Sequence, residues 1–141
     1  MIPGSIRNLE QYKQAKLLDM TGFGFERNIS PTDIDFFVEI SCKEFVLGEY
    51  KRAGAVKQKG QLDAFTNLLK MLNNSGVLVL GFWAEHEVPT EQVIVAREVK
   101  VVDIWCTQCP EWTSLRDYDV SVLSLIQEWR TWGRDKVFST L

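Results

Sequence analysis

The stretch that decides the fold is DFFVEISCKEFVLGEYK, residues 35–51. It holds two segments rich in Phe, Val and Ile, which predict two β-strands, Asp35–Ile40 and Glu44–Tyr50. The segment between them, Ser41–Lys43, is short enough for a hairpin loop. The sequence therefore predicts an antiparallel β-hairpin at this point.

The register of this hairpin places two acids together. A three-residue loop pairs Ile40 with Glu44, and Asp35 then falls directly opposite Glu49 on the same face, whereas a two-residue loop would break this parity. Side chains alternate along a strand, so Lys51 shares the face of Glu49. Two opposed carboxylates repel each other unless a positive charge lies between them, and Mg²⁺ or Mn²⁺ suits such hard oxygen ligands.

Apolar spacing along the rest of the chain predicts an α/β fold. Three helices are expected, at Ser5–Leu18, Gln61–Asn73 and Val120–Trp132. Three further strands are expected, at Val77–Trp83, Val93–Ala96 and Val99–Trp105. Pro110–Tyr118 is expected to be irregular. The order favours a single domain over residues 1–141, with a central mixed β-sheet flanked by helices.

Composition restricts the classes of protein. The chain has 141 residues, of which 45% are hydrophobic and 25% charged, as is typical of globular domains. Its longest apolar run, residues 76–84, is too short to span a membrane, and its first ten residues show no secretory signal, so a cytoplasmic protein is expected. With a net charge of −3, any contact with a polyanion needs a local basic patch.

Three short motifs in this sequence resemble the PD-(D/E)xK nuclease superfamily. They are Thr32-Asp33-Ile34-Asp35, Glu49-Tyr50-Lys51, and Gly60-Gln61 at the start of a predicted helix. The pattern is most similar to small phage-type and Holliday-junction-resolvase-like members, and it covers residues 32–72. The resemblance implies a restriction-endonuclease-like core, encoded by a phage or a bacterium, that cuts DNA in a metal-dependent reaction.

The resemblance also implies a role for individual residues. Asp35, Glu49 and the backbone carbonyl of Tyr50 would hold Mg²⁺ or Mn²⁺, which lowers the pKa of a bound water and offsets charge on the phosphate. Lys51 would orient the nucleophile or stabilise developing negative charge, and the Gln61 amide would face the same site. The structural alternative is that these charged residues form ordinary surface ion pairs on a hairpin.

Two further acids are candidates for the metal. Asp33 competes with Asp35, which we prefer because it lies opposite Glu49. Glu10, on the first predicted helix, matches a position where many family members carry another acid, although Glu26 would compete with it.

A basic segment follows the second hairpin strand. Arg52, Lys57 and Lys59 join Lys51 to give four positive charges with no acid between Tyr50 and Leu62. Such a segment beside the site would contact the phosphate backbone of DNA, unless it is only a solvated loop.

Cysteines and tryptophans allow other interpretations. Cys106 and Cys109 form one CxxC, which is half a zinc site, and nothing in the spacing brings Cys42 or His86 to it. We therefore expect reduced cysteines. Trp129 and Trp132 end the last predicted helix and suit either the core or a homodimer interface.

The sequence thus predicts a Mg²⁺-dependent DNA endonuclease or exonuclease, acting on duplex, single-stranded or branched DNA. A non-catalytic nucleic-acid- or protein-binding module on the same fold is the alternative. A structural protein held by the tryptophan-rich C-terminal helix is the third hypothesis, and it predicts neither metal nor DNA binding.

Overall fold

The computed structural model describes residues 32–134 and, before them, Glu10, Asp19 and residues 21–23. The chain divides into two compact units, Met1–Asp33 and Ile34–Leu141. The predicted helix Ser5–Leu18 lies outside the described residues except for Glu10, which is helical and exposed. The sheet and the helices that follow belong to the second unit.

A five-stranded mixed sheet forms the centre of the second unit. Its strands are β1 (Phe36–Ile40), β2 (Glu44–Arg52), β3 (Leu78–His86), β4 (Lys100–Cys106) and β5 (Cys109–Ser114). They lie in the order β1-β2-β3-β4-β5. Only β2 and β3 pair in parallel, and every other neighbouring pair is antiparallel.

Two helices cover the two faces of this sheet. Helix α1 (Lys59–Asn74) connects β2 to β3, and helix α2 (Val122–Trp129) follows β5. A short 3-10 turn, Ala96–Glu98, precedes β4. The predicted α/β fold, with a central mixed sheet flanked by helices, is therefore confirmed. Within the part of the chain that the structure describes, no helix is long and apolar enough to cross a bilayer.

The register predicted for the β1–β2 hairpin is confirmed. Ile40 pairs with Glu44 and Phe36 pairs with Gly48. The turn between them adopts positive φ at Ser41 (52°) and Cys42 (57°), and the Lys43 amide donates to the carbonyl of Ile40 at 2.9 Å. The loop thus has three residues, which preserves the parity on which the placement of Asp35 opposite Glu49 depends.

Two predicted segments are wrong. Val93–Ala96 is not a strand, because residues 93–95 lie in an irregular loop and expose 56%, 41% and 38% of their surface. Residues that favour strands form one only where a neighbouring strand pairs with them. Conversely, Pro110–Tyr118 is not wholly irregular, since β5 pairs with β4 at the edge of the sheet, where a proline such as Pro110 is tolerated.

The two faces of the sheet carry separate hydrophobic clusters. The cluster on the α1 side consists of Leu47, Phe65, Leu69, Val79 and Trp105. The cluster on the α2 side is larger and includes Val46, Leu80, Phe82, Ile104, Leu125, Trp129 and Trp132. The last two tryptophans are thus buried by their own chain, and a homodimer through them stays a prediction.

Gly48 makes room for the central aromatic residue of the α2 face. It pairs with Phe82 in the β2–β3 ladder, and a Cβ on Gly48 would overlap the Phe82 ring. That ring also meets Phe36 and Tyr50 edge-on, with centroid distances of 5.4 and 5.6 Å. Because Phe82 is fully buried, it has no free space into which to move.

We expect Gly48→Ala to destabilise the fold by about 1–3 kcal/mol through overpacking against Phe82, outweighing the usual gain from replacing glycine in a strand. Urea unfolding measures the change. Gly60→Ala is the control, since a Cβ there meets open space in the first turn of α1. Equal stability of Gly48→Ala and wild type would contradict this packing.

The two cysteines of the CxxC face each other across the β4–β5 turn. Cys106 is fully buried, and this burial raises the pKa of its thiol to about 11. His86 lies at the other end of the sheet, since Cys106 pairs with Leu80 at the opposite end of β3. Among residues 32–134 no three His, Cys, Asp or Glu side chains are grouped as a metal site, which leaves the CxxC without further ligands there.

We expect iodoacetamide to label the exposed Cys42 first and Cys106 last at pH 7.5, because the Cys106 thiol stays protonated and covered. Peptide mass spectrometry after a timed reaction reports each site. Burial of the neutral Cys106 thiol contributes to the stability of the fold in full below pH 9.0, the ordinary thiol pKa. This contribution is lost as the pH rises through the folded-state pKa of about 11. Equal labelling of Cys42 and Cys106 in the folded protein would contradict this environment.

Candidate active site

Three strand residues form one row across the sheet on the face covered by α1, and a fourth residue, Asp35, extends this row just before β1 begins. Glu49 on β2 pairs with Trp83 on β3, and Trp83 pairs with Asp103 on β4. Asp35 precedes Phe36, which pairs with Gly48, so the same register places Asp35 beside Glu49. The row therefore reads Asp35, Glu49, Trp83, Asp103, and we refer to these four residues as the acid row.

Glu49 is the buried charged residue of this row, with 1% of its surface exposed. Burial of a carboxylate is costly unless nearby positive charge or polar groups compensate for it. The ammonium of Lys51 lies on the same face, with Nζ 4.0 Å from Glu49 Oε2. Glu49 and Lys51, both predicted as site residues, are thus brought together.

The Asp35 carboxylate is hydrogen-bonded to the backbone of the residue after Glu49. Its Oδ2 accepts a hydrogen bond of 2.9 Å from the Tyr50 amide. This bond holds an exposed carboxylate, which lies just before β1 begins, against β2. Asp35 is therefore bound at the backbone position that follows Glu49, and convergence of the two carboxylates stays a prediction.

Tyr50 contributes its backbone to the site and its side chain to the opposite face. Its ring packs among the aromatic residues of the α2 side, and its hydroxyl donates to the carbonyl of Ala96 at 3.2 Å. Burial, with a contribution from the negative charge of Asp35, raises the pKa of Tyr50 to about 12. The phenol therefore stays neutral, and only the Tyr50 carbonyl remains a candidate ligand.

Two lysines contact the indole of Trp83. The Nζ of Lys51 lies 5.8 Å from the ring centroid, and the Nζ of Lys57 lies 4.9 Å from it. Lys57 also forms an ion pair with Asp103. Sequence reasoning predicted Lys57 as a DNA-binding residue, whereas the structure places its ammonium inside the site.

A β-bulge brings Asp103 to this face. Trp83 pairs with Asp103, but the next residue of β3, Ala84, pairs with Val101, so Val102 is an extra residue in β4. Strict alternation would have given Val101 and Asp103 the same face. The sequence analysis missed Asp103 for this reason, and an acid inside an apolar strand was the only signal.

Helix α1 begins at the edge of the sheet where β2 and β3 end. Gln61 lies half-buried in its first turn, four residues before Phe65, which is buried against the sheet. Residues four apart share a helix face. Gln61 is therefore on the sheet-facing side of α1, at the end nearest Lys51.

The remaining basic residues of the segment, Arg52 and Lys59, differ in how accessible their side chains are. The guanidinium of Arg52 donates to the carbonyl of Val88 at 2.7 Å, which ties it to the loop after β3. Lys59, the first residue of α1, is exposed. Lys59 is therefore accessible to a phosphate, whereas Arg52 has a protein partner.

Charges at the next position along the strands are paired with one another. Lys51 lies opposite Glu85, and Glu85 lies opposite Lys100. Arg116 donates to Glu85 at 2.7 Å, and this hydrogen bond lowers the pKa of the Glu85 carboxyl. Glu85 is thus neutralised by a partner outside the acid row.

The two secondary acid candidates belong to the other unit. Glu10 and Asp33 are both exposed. The β1–β2 ladder begins at Phe36, so Asp33 lies outside it.

The residues present suit a hard divalent cation. Asp35 and the buried Glu49 offer carboxylate oxygens, and Tyr50, whose amide binds Asp35, is the residue after Glu49 in β2. Mg²⁺ is commonly bound by one or two carboxylates while it keeps several waters. A site with two acidic side chains therefore fits this ion.

Comparison of the chain with family models, with curated proteins and with solved structures finds no match.

We expect the Lys57–Asp103 pair to contribute about 0.5–1 kcal/mol to stability at low salt, because water partly screens both side chains. A double-mutant cycle with Lys57→Gln and Asp103→Asn, followed by urea unfolding, measures this coupling. The Arg130–Glu44 pair, which is more exposed, is the control and should couple less. A coupling of zero at low salt would show that the ion pair does not form.

Proposed function

We propose that this protein is a metal-dependent nuclease that hydrolyses DNA phosphodiester bonds. The observation that carries the proposal is the position of Glu49, buried beside Asp35 and 4.0 Å from the ammonium of Lys51. Two acids and one lysine on adjacent positions of a hairpin are the residues that the PD-(D/E)xK resemblance identified. The proposal therefore joins the sequence motif with a geometry that suits it.

Asp35 and Glu49 would hold Mg²⁺ or Mn²⁺, with the Tyr50 carbonyl as a further ligand. When bound, the ion lowers the pKa of a water and offsets the negative charge of the phosphate. Burial of Glu49 favours this role, since a carboxylate already removed from water binds an ion without first losing its hydration. Asp35 is held in place by the Tyr50 amide.

Lys51 would act on the phosphate itself. The Lys51 side chain is 29% exposed, so it contacts Glu49 and also reaches solvent. A fixed positive charge there stabilises the negative charge that develops on the phosphate as water attacks. Gln61 would donate its amide hydrogens to the attacking water or to a phosphate oxygen.

DNA would approach at the edge where α1 begins. Lys59 is exposed at this edge and would contact a phosphate, which suits a protein whose overall charge of −3 requires a local cation for that purpose. Lys57 and Arg52 lie nearby but are held by Asp103 and by the carbonyl of Val88. Branched DNA is one candidate substrate, as the similarity to junction-resolving enzymes suggests. A non-catalytic binding module would use the same cations without cutting.

We expect wild type to cut at least one of plasmid, linear, single-stranded and four-way-junction DNA when Mg²⁺ or Mn²⁺ is present. Lys51→Ala should lower the cleavage rate by about 100-fold or more, because the transition state loses its cation. Glu49→Gln should abolish Mn²⁺ binding in calorimetry as well as cleavage, while Lys51→Ala should keep Mn²⁺ binding.

Lys43→Ala is the matched control, because Lys43 lies in the β1–β2 turn at the far end of β2. It should cut as wild type does. DNA binding without cutting, together with no Mn²⁺ binding, would favour the non-catalytic module. Neither DNA nor metal binding would leave only a structural role for the fold.

A further inference from the structure

We propose that Trp83 is a positioning residue that holds the ammonium of Lys51 at Glu49, and that the Lys57–Asp103 ion pair protects this arrangement. The inference rests on the proposed function, in which Lys51 is the cation that acts on the phosphate. It adds two residues, Trp83 and Asp103, that the nuclease motif does not contain.

The position of Trp83 in the acid row is the first observation. The indole lies between Glu49 on β2 and Asp103 on β4, and 1% of its surface is exposed. It therefore has a fixed place in the core rather than a free ring at the surface. Bases of DNA cannot stack on it, so its contribution must come through neighbouring side chains.

The contact between Lys51 and Glu49 is too long to fix the lysine alone. Its 4.0 Å exceeds the distance of an N–H···O hydrogen bond, which leaves the flexible four-carbon side chain several rotamers. The indole, 5.8 Å from the ammonium, adds a second attraction from another direction. Two contacts restrict the ammonium to a smaller volume than either contact alone.

Lys57 would otherwise compete for the same carboxylate. Its ammonium also lies over Trp83, 4.9 Å from the ring centroid, so both lysines contact the ring that pairs with Glu49 in the sheet. Asp103 binds Lys57 on the β4 side of the ring. Each lysine thus has its own acid, and Trp83 lies between the two acids in the sheet.

An NMR measurement tests this placement without any DNA. The ring current of an indole shifts nearby methylene protons upfield, so the ε-CH₂ signals of Lys51 and Lys57 should lie upfield of the other lysines. Lys51→Arg and Lys57→Arg assign the two signals. Trp83→Leu should return both signals to the ordinary position, whereas Trp105→Leu should leave them unchanged.

A kinetic measurement tests the consequence for cleavage. We expect Trp83→Leu to lower the single-turnover rate about tenfold and to change the affinity for DNA less than twofold, since Lys51 keeps its charge but loses its position. Trp83→Phe should recover part of the rate, because phenylalanine retains a weaker ring face. Asp103→Asn should lower the rate with Lys57 present, and Lys57→Gln should restore it in the double variant.

Trp105→Leu is the matched control for loss of core packing. Trp105 is similarly buried, at 2%, and lies on the same face of the sheet, but it packs in the α1 cluster, whereas both lysines lie over Trp83. Both variants should lose stability by a similar amount, so assays are run well below the melting temperature of each. Only Trp83→Leu should alter the lysine signals.

The outcomes separate the two proposals. Cleavage by wild type with equal rates for Trp83→Leu and Trp105→Leu would overturn this inference and leave the nuclease proposal standing. Ordinary ε-CH₂ positions for both lysines in wild type would overturn it as well. No cleavage by wild type, with both signals upfield, would overturn the proposed function while retaining the placement of the lysines over Trp83.

Discussion

A buried carboxylate is the constraint on which the rest of this structure depends. Glu49 lies within β2, where it pairs with Trp83 of β3, and it is almost wholly shielded from water. A charge in that position would weaken the fold by several kcal/mol if positive charge were not brought to it. The chain supplies Lys51 two residues later on the same face, and this spacing is possible only in an extended strand.

The same constraint accounts for the charge pattern around Glu49. The neighbouring acids are each paired locally: Asp35 with the Tyr50 amide, Asp103 with Lys57, and Glu85 with Arg116. An apolar ring, Trp83, lies between Glu49 and Asp103 rather than another polar group. Local pairing of this kind leaves the exposed lysine at the start of α1 available to a polyanion, even though the protein as a whole is acidic.

Much of the fold could be predicted because local patterns and packing agree. The β1–β2 register followed from a three-residue loop between two apolar segments, and the structure adopts it. Helix α1 followed from apolar residues at helical spacing, which the burial of Phe65 and Leu69 bears out. The prediction failed at residues 93–96 and at β5, where β propensity and strand pairing disagree. The valines of residues 93–96 favour a strand but have no partner strand, whereas the proline-containing segment Cys109–Ser114 pairs with β4.

The sequence by itself determined that Asp35, Glu49 and Lys51 share one face, because strand alternation and hairpin parity are local and have a period of two residues. The sequence also determined that residues 51–59 carry four positive charges and that a helix begins near the end of this segment. Only the tertiary structure decided that Trp83, Lys57 and Asp103 join that site. Their meeting requires a parallel pairing between distant strands and a bulge at Val102, and neither is specified by residues that are close in sequence.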